Sequence, residues 1–140
     1  MKGSFEVNSV EETWALAKAF AQTLKPGDVV CLEGDLGAGK TTFTQGLAAA
    51  LGVRGRVTSP TFCLVQEHHG ADGRLLVHMD LYRLASADDV LAIGWEDYLA
   101  AGAILVVEWP DRAGELIPPA ARHLVFRQGE GEKRLVNIDN

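Results

Sequence analysis

The sequence predicts an α/β fold. Three observations carry the prediction. A short β-branched run at residues 29–32 leads through a glycine-rich loop directly into a helical pattern. A second run, AILVVEW within residues 103–109, is apolar at every early position, as a strand covered on both faces must be. The chain has 140 residues, 47% hydrophobic and 23% charged, so residues 1–140 read as a single domain with a core of its own.

The elements follow in order. Residues 5–7 are a short predicted strand. Ser9 opens a helix, and Glu12 three positions on completes a capping box. Val10, Trp14, Ala17, Ala21 and Leu24 recur at spacings of four and three, one helical face, before Pro26-Gly27 stops the helix. Residues 29–32 are a buried strand, and the glycine loop GDLGAGKT comes next. Phe43, Leu47 and Leu51 then fall four apart on a second helix that Gly52 ends. The loop VRGRVTSPT leads to a predicted strand at 62–68, a turn at HHGADG and a strand at 75–80. Short helices are read at 86–93 and 96–99, ahead of the apolar strand at 103–109. Pro110 and Pro118-Pro119 punctuate a connection. Residues 123–127 and 134–138 read as a closing β-hairpin across GEGEK. No internal repeat or low-complexity tract interrupts the pattern.

Composition removes several function classes. Thirteen Lys and Arg against nineteen Asp and Glu leave a net charge of −6, which argues against a chain that grips nucleic acid by itself but not against one that reaches it through partners. No stretch approaches the roughly 18 consecutive apolar residues of a membrane span. The start MKGSFEVNSVEE has no apolar core of a secretory signal. Cys31 and Cys63 both sit in apolar runs and form no CxxC pair, so both are expected to be buried, inert thiols of a cytoplasmic protein. His68, His69, His78 and His123 lack metal-ligand spacing and read as structural or solvated. Trp14, Trp95 and Trp109 read as core or rim aromatics rather than base-stacking platforms.

The chemistry lies in Gly34-Asp35-Leu36-Gly37-Ala38-Gly39-Lys40-Thr41, which fits G-x-x-x-x-G-K-[ST]. Phosphate oxygens need several backbone N–H donors at close range, and glycines keep Cβ atoms out of the way. The helix that follows points its positive end at the anion. Lys40 is expected to reach β- and γ-phosphates, and the Thr41 hydroxyl to ligate magnesium. Without a ligand, Lys40 is expected to face solvent. A site of this kind also needs an acid at the end of a neighbouring strand. Glu108 and Asp80 both qualify. The run before Glu108 is the more apolar, so Glu108 is expected to end a central strand; the competing reading is a sheet-edge carboxylate paired with a base. Asp80 is either the supporting acid or a turn cap at Leu81-Tyr82-Arg83. Thr58-Ser59-Pro60-Thr61 offers three hydroxyls around a rigid proline, either a nucleotide-sensing switch or a polar turn. Arg83 either senses phosphate charge or forms a surface ion pair. Residues 93–98 present either a partner surface or an aromatic helix start packed on the core.

The ordered set GDLGAGKTTFTQG, TSPTF, HMDLYRL, IGWEDYL and VEWP, from Gly34 to Pro110, resembles the bacterial TsaE family, also called YjeE. The resemblance implies a small P-loop NTPase-like domain with a mixed β-sheet flanked by helices. It implies an ATPase in the synthesis of threonylcarbamoyl-adenosine, next to the anticodon of tRNA. In that role it would bind ATP or ADP with Mg2+ and support turnover of a TsaB–TsaD pair, meeting tRNA only through that complex. On the same grounds Thr41 and Glu108 are the magnesium ligands, residues 37–42 through Thr42 wrap the phosphates, Asp80 is a Walker-B-like acid, TSPT is a switch, and Thr13 approaches the nucleotide. Water would be oriented by Asp80, or failing that Thr61. Two rivals stand beside this: a nucleotide-gated interaction module without useful hydrolysis, and a small-molecule kinase. The kinase reading is weakened by the short stretch after Pro110 and the lack of an arginine cluster.

Overall fold

A computed structural model describes residues 1–35, 37–55, 57 and 65–139. Its described strands are β1 (Gly3–Val7), β2 (Val29–Gly34), β3 (Val65–His69), β4 (Leu75–Asp80), β5 (Ile104–Glu108), β6 (Arg122–Gln128) and β7 (Arg134–Ile138). The helices are α1 (Val10–Ala21), α2 (Lys40–Ala50), α3 (Ala87–Ala92) and α4 (Trp95–Ala100), with 3-10 segments at Ala71–Gly73 and Pro110–Leu116. All seven strands form one sheet in the order β1-β7-β6-β2-β5-β4-β3. β6, β2, β5 and β4 run parallel in its centre, while β1, β7 and β3 pair antiparallel towards the edges. The sheet is therefore mixed, and the predicted hairpin is β6–β7, in register from Gln128 opposite Arg134 to Leu124 opposite Ile138.

Strand alternation sorts the core into two layers. Val30, Leu32, Leu76, Ile104 and Val106 face α1 and α2. Val29, Cys31, Val77, Met79, Leu105 and Val107 face the opposite layer, where Val90 of α3, Trp95 of α4 and Ala113 pack. Trp95 is buried there, so the aromatic start of α4 packs on the core, while Glu96 and Asp97 of the same segment are exposed. The same alternation puts His78 and Asp80 on the α2 side of β4, and Glu108 on the α2 side of β5.

The N-terminus of α1 is capped as its sequence asks. The Glu12 backbone N–H donates to Ser9 Oγ at 3.1 Å. The return bond runs from the Asn8 N–H to Glu12 Oε1 at 3.2 Å, one residue before the expected position. The buried face of α1 differs from the one expected. Thr13, Leu16, Ala17, Phe20 and Ala21 are buried, whereas Val10 and Trp14 are almost half exposed. Both faces share Ala17 and Ala21. Phe20, with its ring 5.8 Å from that of Phe43, decides between them by giving the larger apolar burial. On α2 the expected Phe43, Leu47 and Leu51 are all buried. The helices touch closely at Gly46, where an added Cβ would lie 2.9 Å from the Trp14 ring and 3.0 Å from its Cα.

Candidate functional site

The phosphate-type loop sits where the parallel topology puts it. It leaves the carboxyl end of β2 at Gly34 and enters α2 at Lys40, with Gly39 as a left-handed N-cap. Such a strand-to-helix corner is where open α/β sheets bind ligands. Gly34 is indispensable to the corner: its φ is +140°, and a Cβ there would lie 2.3 Å from the Phe126 carbonyl oxygen. The β4–β5 register sets Asp80 beside Glu108. Both acids therefore end parallel strands at the same edge as the loop.

These groups line one cleft of about 850 Å³. Ser9, Thr13, Gly34, Gly37, Gly39 and Lys40 contribute to its wall, as do Thr41, Thr42, Asp80 and Glu108. Thr13 is buried, and its hydroxyl donates to the Ser9 carbonyl at 3.2 Å. Asp80 accepts the Tyr82 N–H at 3.0 Å, so it caps the turn and borders the cleft at once. Ala38 behaves differently from the rest of the loop. Its side chain is fully buried in the α1–α2 layer, and its N–H donates to the Asp35 carbonyl at 3.1 Å. Thr61 and the rest of the TSPT segment, together with Cys63, lie outside the described residues.

Lys40 corrects one expectation. Its side chain is only 14% exposed and does not face solvent. Nζ donates to the Gly34 carbonyl at 2.7 Å and lies 3.6 Å from Glu108 Oε1. Glu108 is buried, and its Oε2 is 2.7 Å from His78 Nε2. Burial pushes the Glu108 carboxyl up, but the His78 hydrogen bond, the charge of His78 and then Lys40 outweigh it and hold the group below its ordinary range. The result is a buried carboxylate that keeps its charge beside a hydroxyl-bearing helix start.

Two residues at or under the cleft escape the sequence reading, and a third, Trp109, was read only as a core or rim aromatic. His78 underlies Glu108. Arg134, at the start of β7, donates from Nε to the Gly37 carbonyl at 3.1 Å and so ties the loop to a strand 97 residues away. Trp109 takes a left-handed conformation at φ +58°, which ends β5 and turns its ring outward. There it lies 4.9 Å from the Tyr82 ring, with the Arg112 guanidinium 5.9 Å over the other aromatic's centroid. Only His78 had a sequence signal: it shares the period-2 face of Asp80 in LLVHMD. Arg83 borders the cleft and makes no ion pair among the described residues.

Hard cations such as magnesium take a few carboxylate or hydroxyl oxygens and complete their shell with phosphate and water. Among the described residues, no three His, Cys, Asp or Glu side chains group to hold a metal by themselves. Thr41 with a charge-retaining Glu108 in the same cleft fits the partial, oxygen-only ligand set that such a cation needs.

Comparison with known proteins settles the family. The family model described as "Threonylcarbamoyl adenosine biosynthesis protein TsaE" matches residues 7–136. This chain belongs to the TsaE family. The tRNA threonylcarbamoyladenosine biosynthesis protein TsaE of Bacillus subtilis is 43% identical over 91% of this chain and 79% of its own length. The protein of the same name from Rickettsia bellii is 38% identical over 96% of this chain and 92% of its own. The crystal structure of Bacillus subtilis YdiB superposes with a TM-score of 0.80 at 34% identity, covering 99% of this chain and 84% of that one. The fold is thus the P-loop NTPase-like TsaE fold, with a mixed sheet between helical layers.

Proposed function

We propose that this chain binds ATP and Mg2+ in the cleft, hydrolyses the nucleotide, and thereby sustains turnover of a TsaB–TsaD pair during threonylcarbamoyl-adenosine modification of tRNA. The observation that carries this reading is the convergence of three chain-distant groups, the Gly34–Thr42 loop, Asp80 and Glu108, on one cleft. A cleft of about 850 Å³ is within the range of small-molecule sites. The family's name supplies the pathway.

The chemistry is phosphoryl transfer to water, in which positioning and charge do most of the catalysis. The loop amides and Lys40 receive the phosphate charge. To do so, Lys40 exchanges its contact with the Gly34 carbonyl for phosphate oxygens. Thr41 and Glu108 would hold a magnesium ion, which would supply positive charge against the phosphates. Asp80 orients water or supports the metal, with Thr61 second in line. Thr13 approaches the nucleotide from the start of α1. Residues 1–140 act as one domain. No helix among the described residues is long and apolar enough to cross a membrane. A cytoplasmic site of action is proposed from the free, buried Cys31.

The test is reconstitution on unmodified tRNA with TsaB, TsaD, the carbamoyl donor and ATP under multiple-turnover conditions. With the chain present, modification should run past one round and phosphate release should rise above that of the chain alone. Equal and negligible phosphate release with and without the pair would replace this reading by the nucleotide-gated module.

A further inference from the structure

We propose that His78 is a positioning residue for Glu108, fixing Oε2 so that Oε1 faces the cleft and thereby setting the site's affinity for a divalent cation. The inference rests on the nucleotide and metal reading above and deepens it.

His78 is fully buried in the middle of β4, between the apolar residues Leu76, Val77 and Met79. Burying an imidazole is unfavourable unless its nitrogens are paired. Among the described residues only one of them is: Nε2 lies 2.7 Å from Glu108 Oε2, while Nδ1 is buried with no partner among those residues. An apolar side chain would fill the same place with no orphan at all. The imidazole is therefore explained by its contact with Glu108, not by packing.

Geometry shows what that contact does. The parallel register pairs Asp80 with Glu108, and His78 with Val106. His78 thus lies one step back from Asp80 on the same face and meets the Glu108 carboxylate diagonally from below. The last torsion of a glutamate is soft and roughly two-fold. A short hydrogen bond to Oε2 removes that freedom and leaves Oε1 on the cleft side, where it faces Lys40 at 3.6 Å. Hydrogen-bond partners that orient a metal-binding carboxylate change metal affinity by about 10- to 100-fold when removed.

The experiment compares the parent chain with His78→Gln, which keeps an N–H donor, and His78→Leu, which does not. Three quantities are read: affinity for a fluorescent ADP without metal, Mn2+ affinity of the ADP-bound chain by electron paramagnetic resonance, and melting temperature. Metal-free ADP affinity should stay within about twofold for both variants, whereas His78→Leu should need about tenfold more Mn2+ and His78→Gln should keep most of the parent affinity. Should His78→Leu not fold, His78→Phe takes its place, filling the ring's volume without a donor. Unchanged Mn2+ affinity in the donor-less variant overturns the proposal, and so does an equal loss in the Gln variant. A parent chain that binds no nucleotide overturns the nucleotide reading and this inference with it. A parent that binds ADP and Mn2+ while the variants match it overturns this inference alone.

Discussion

Lys40 and Glu108 face each other across the start of α2, with Nζ 3.6 Å from Oε1, and the same ammonium donates to the Gly34 carbonyl at 2.7 Å. The loop's lysine is therefore held in place by the loop's own first residue and by the acid at the end of β5. In the proposed function, phosphate would exchange these contacts rather than capture a freely solvated side chain. Little side-chain entropy remains to be lost when the ligand arrives.

Lys40→Ala should accordingly lower nucleotide affinity by about two orders of magnitude, the weight of a lost charge-assisted phosphate contact, while stability falls by only about 1 kcal/mol. Titration with a fluorescent ADP measures the first and urea denaturation the second. Affinity equal to the parent's would remove Lys40 from the site.

Glu108→Gln separates metal from nucleotide. The variant keeps the shape of the side chain and removes a negative charge beside the phosphate site. Metal-free ADP should bind as well as in the parent or better, while the gain in affinity on adding Mg2+ should largely disappear. Calorimetric titration with and without Mg2+ reads both. A preserved Mg2+ gain would shift the metal-ligand assignment to Asp80.

The same variant carries a pH signature. Glu108 is held below its ordinary value of 4.5, so the folded state favours its ionised form. Its contribution to stability is fully present above that value and is lost as the pH falls through the lowered folded value. The parent should be more stable than Glu108→Gln at neutral pH by about 1 kcal/mol, the ordinary worth of one hydrogen bond, and the gap should close in acid. Melting temperatures of both chains across the acid range test this; a gap that widens on acidification would contradict the assigned contacts.

What was legible in the sequence follows the range of the interactions. The loop is local, so its glycines, Lys40 and Thr41 were readable as a unit. Glu108 and Asp80 were readable because each ends an apolar run, and parallel strands deliver such ends to one edge. The face of α1 was misread because two apolar stripes overlap on it, and only packing against Phe43 distinguishes Phe20 from Trp14. His78 was treated as a structural or solvated histidine, since a lone imidazole in an apolar strand shows no partner until register brings Glu108 to it. Arg134 had no sequence signal, because its bond to Gly37 depends on β7 folding back beside the loop. Sequence spacing alone cannot announce that arrangement.

The loop glycines differ in what they tolerate. At Gly34 a methyl group would collide with the Phe126 carbonyl oxygen at 2.3 Å, in backbone at φ +140°. At Gly37 nothing among the described residues lies within 4 Å of the added Cβ, and φ +79° is what resists it. Gly34→Ala should therefore cost about 3 kcal/mol or more, whereas Gly37→Ala should cost about 1 kcal/mol, the strain of one left-handed alanine. Denaturation midpoints rank the two, and equal losses would mean that the β2–β6 contact is looser than the structure has it.

Cys31 supplies a check on the core that is independent of the site. It lies fully buried in β2, in register with Val107 of β5 and His123 of β6. Burial, and then the charge of Glu33, push its thiol up from 9.0 to about 12. The folded chain keeps the proton that the unfolded chain releases, so the thiol's contribution to stability is complete below the unfolded value and is lost as the pH climbs towards the folded one. In a Cys63→Ser background, Cys31 should resist a disulfide reagent at about pH 8 and react only at the rate of global unfolding. Its melting temperature should also fall more steeply above about pH 9 than that of the corresponding Cys31→Ala chain. A thiol modified in the native state as fast as a free cysteine would show that β2 is open to solvent, and the two-layer core described above would have to be redrawn.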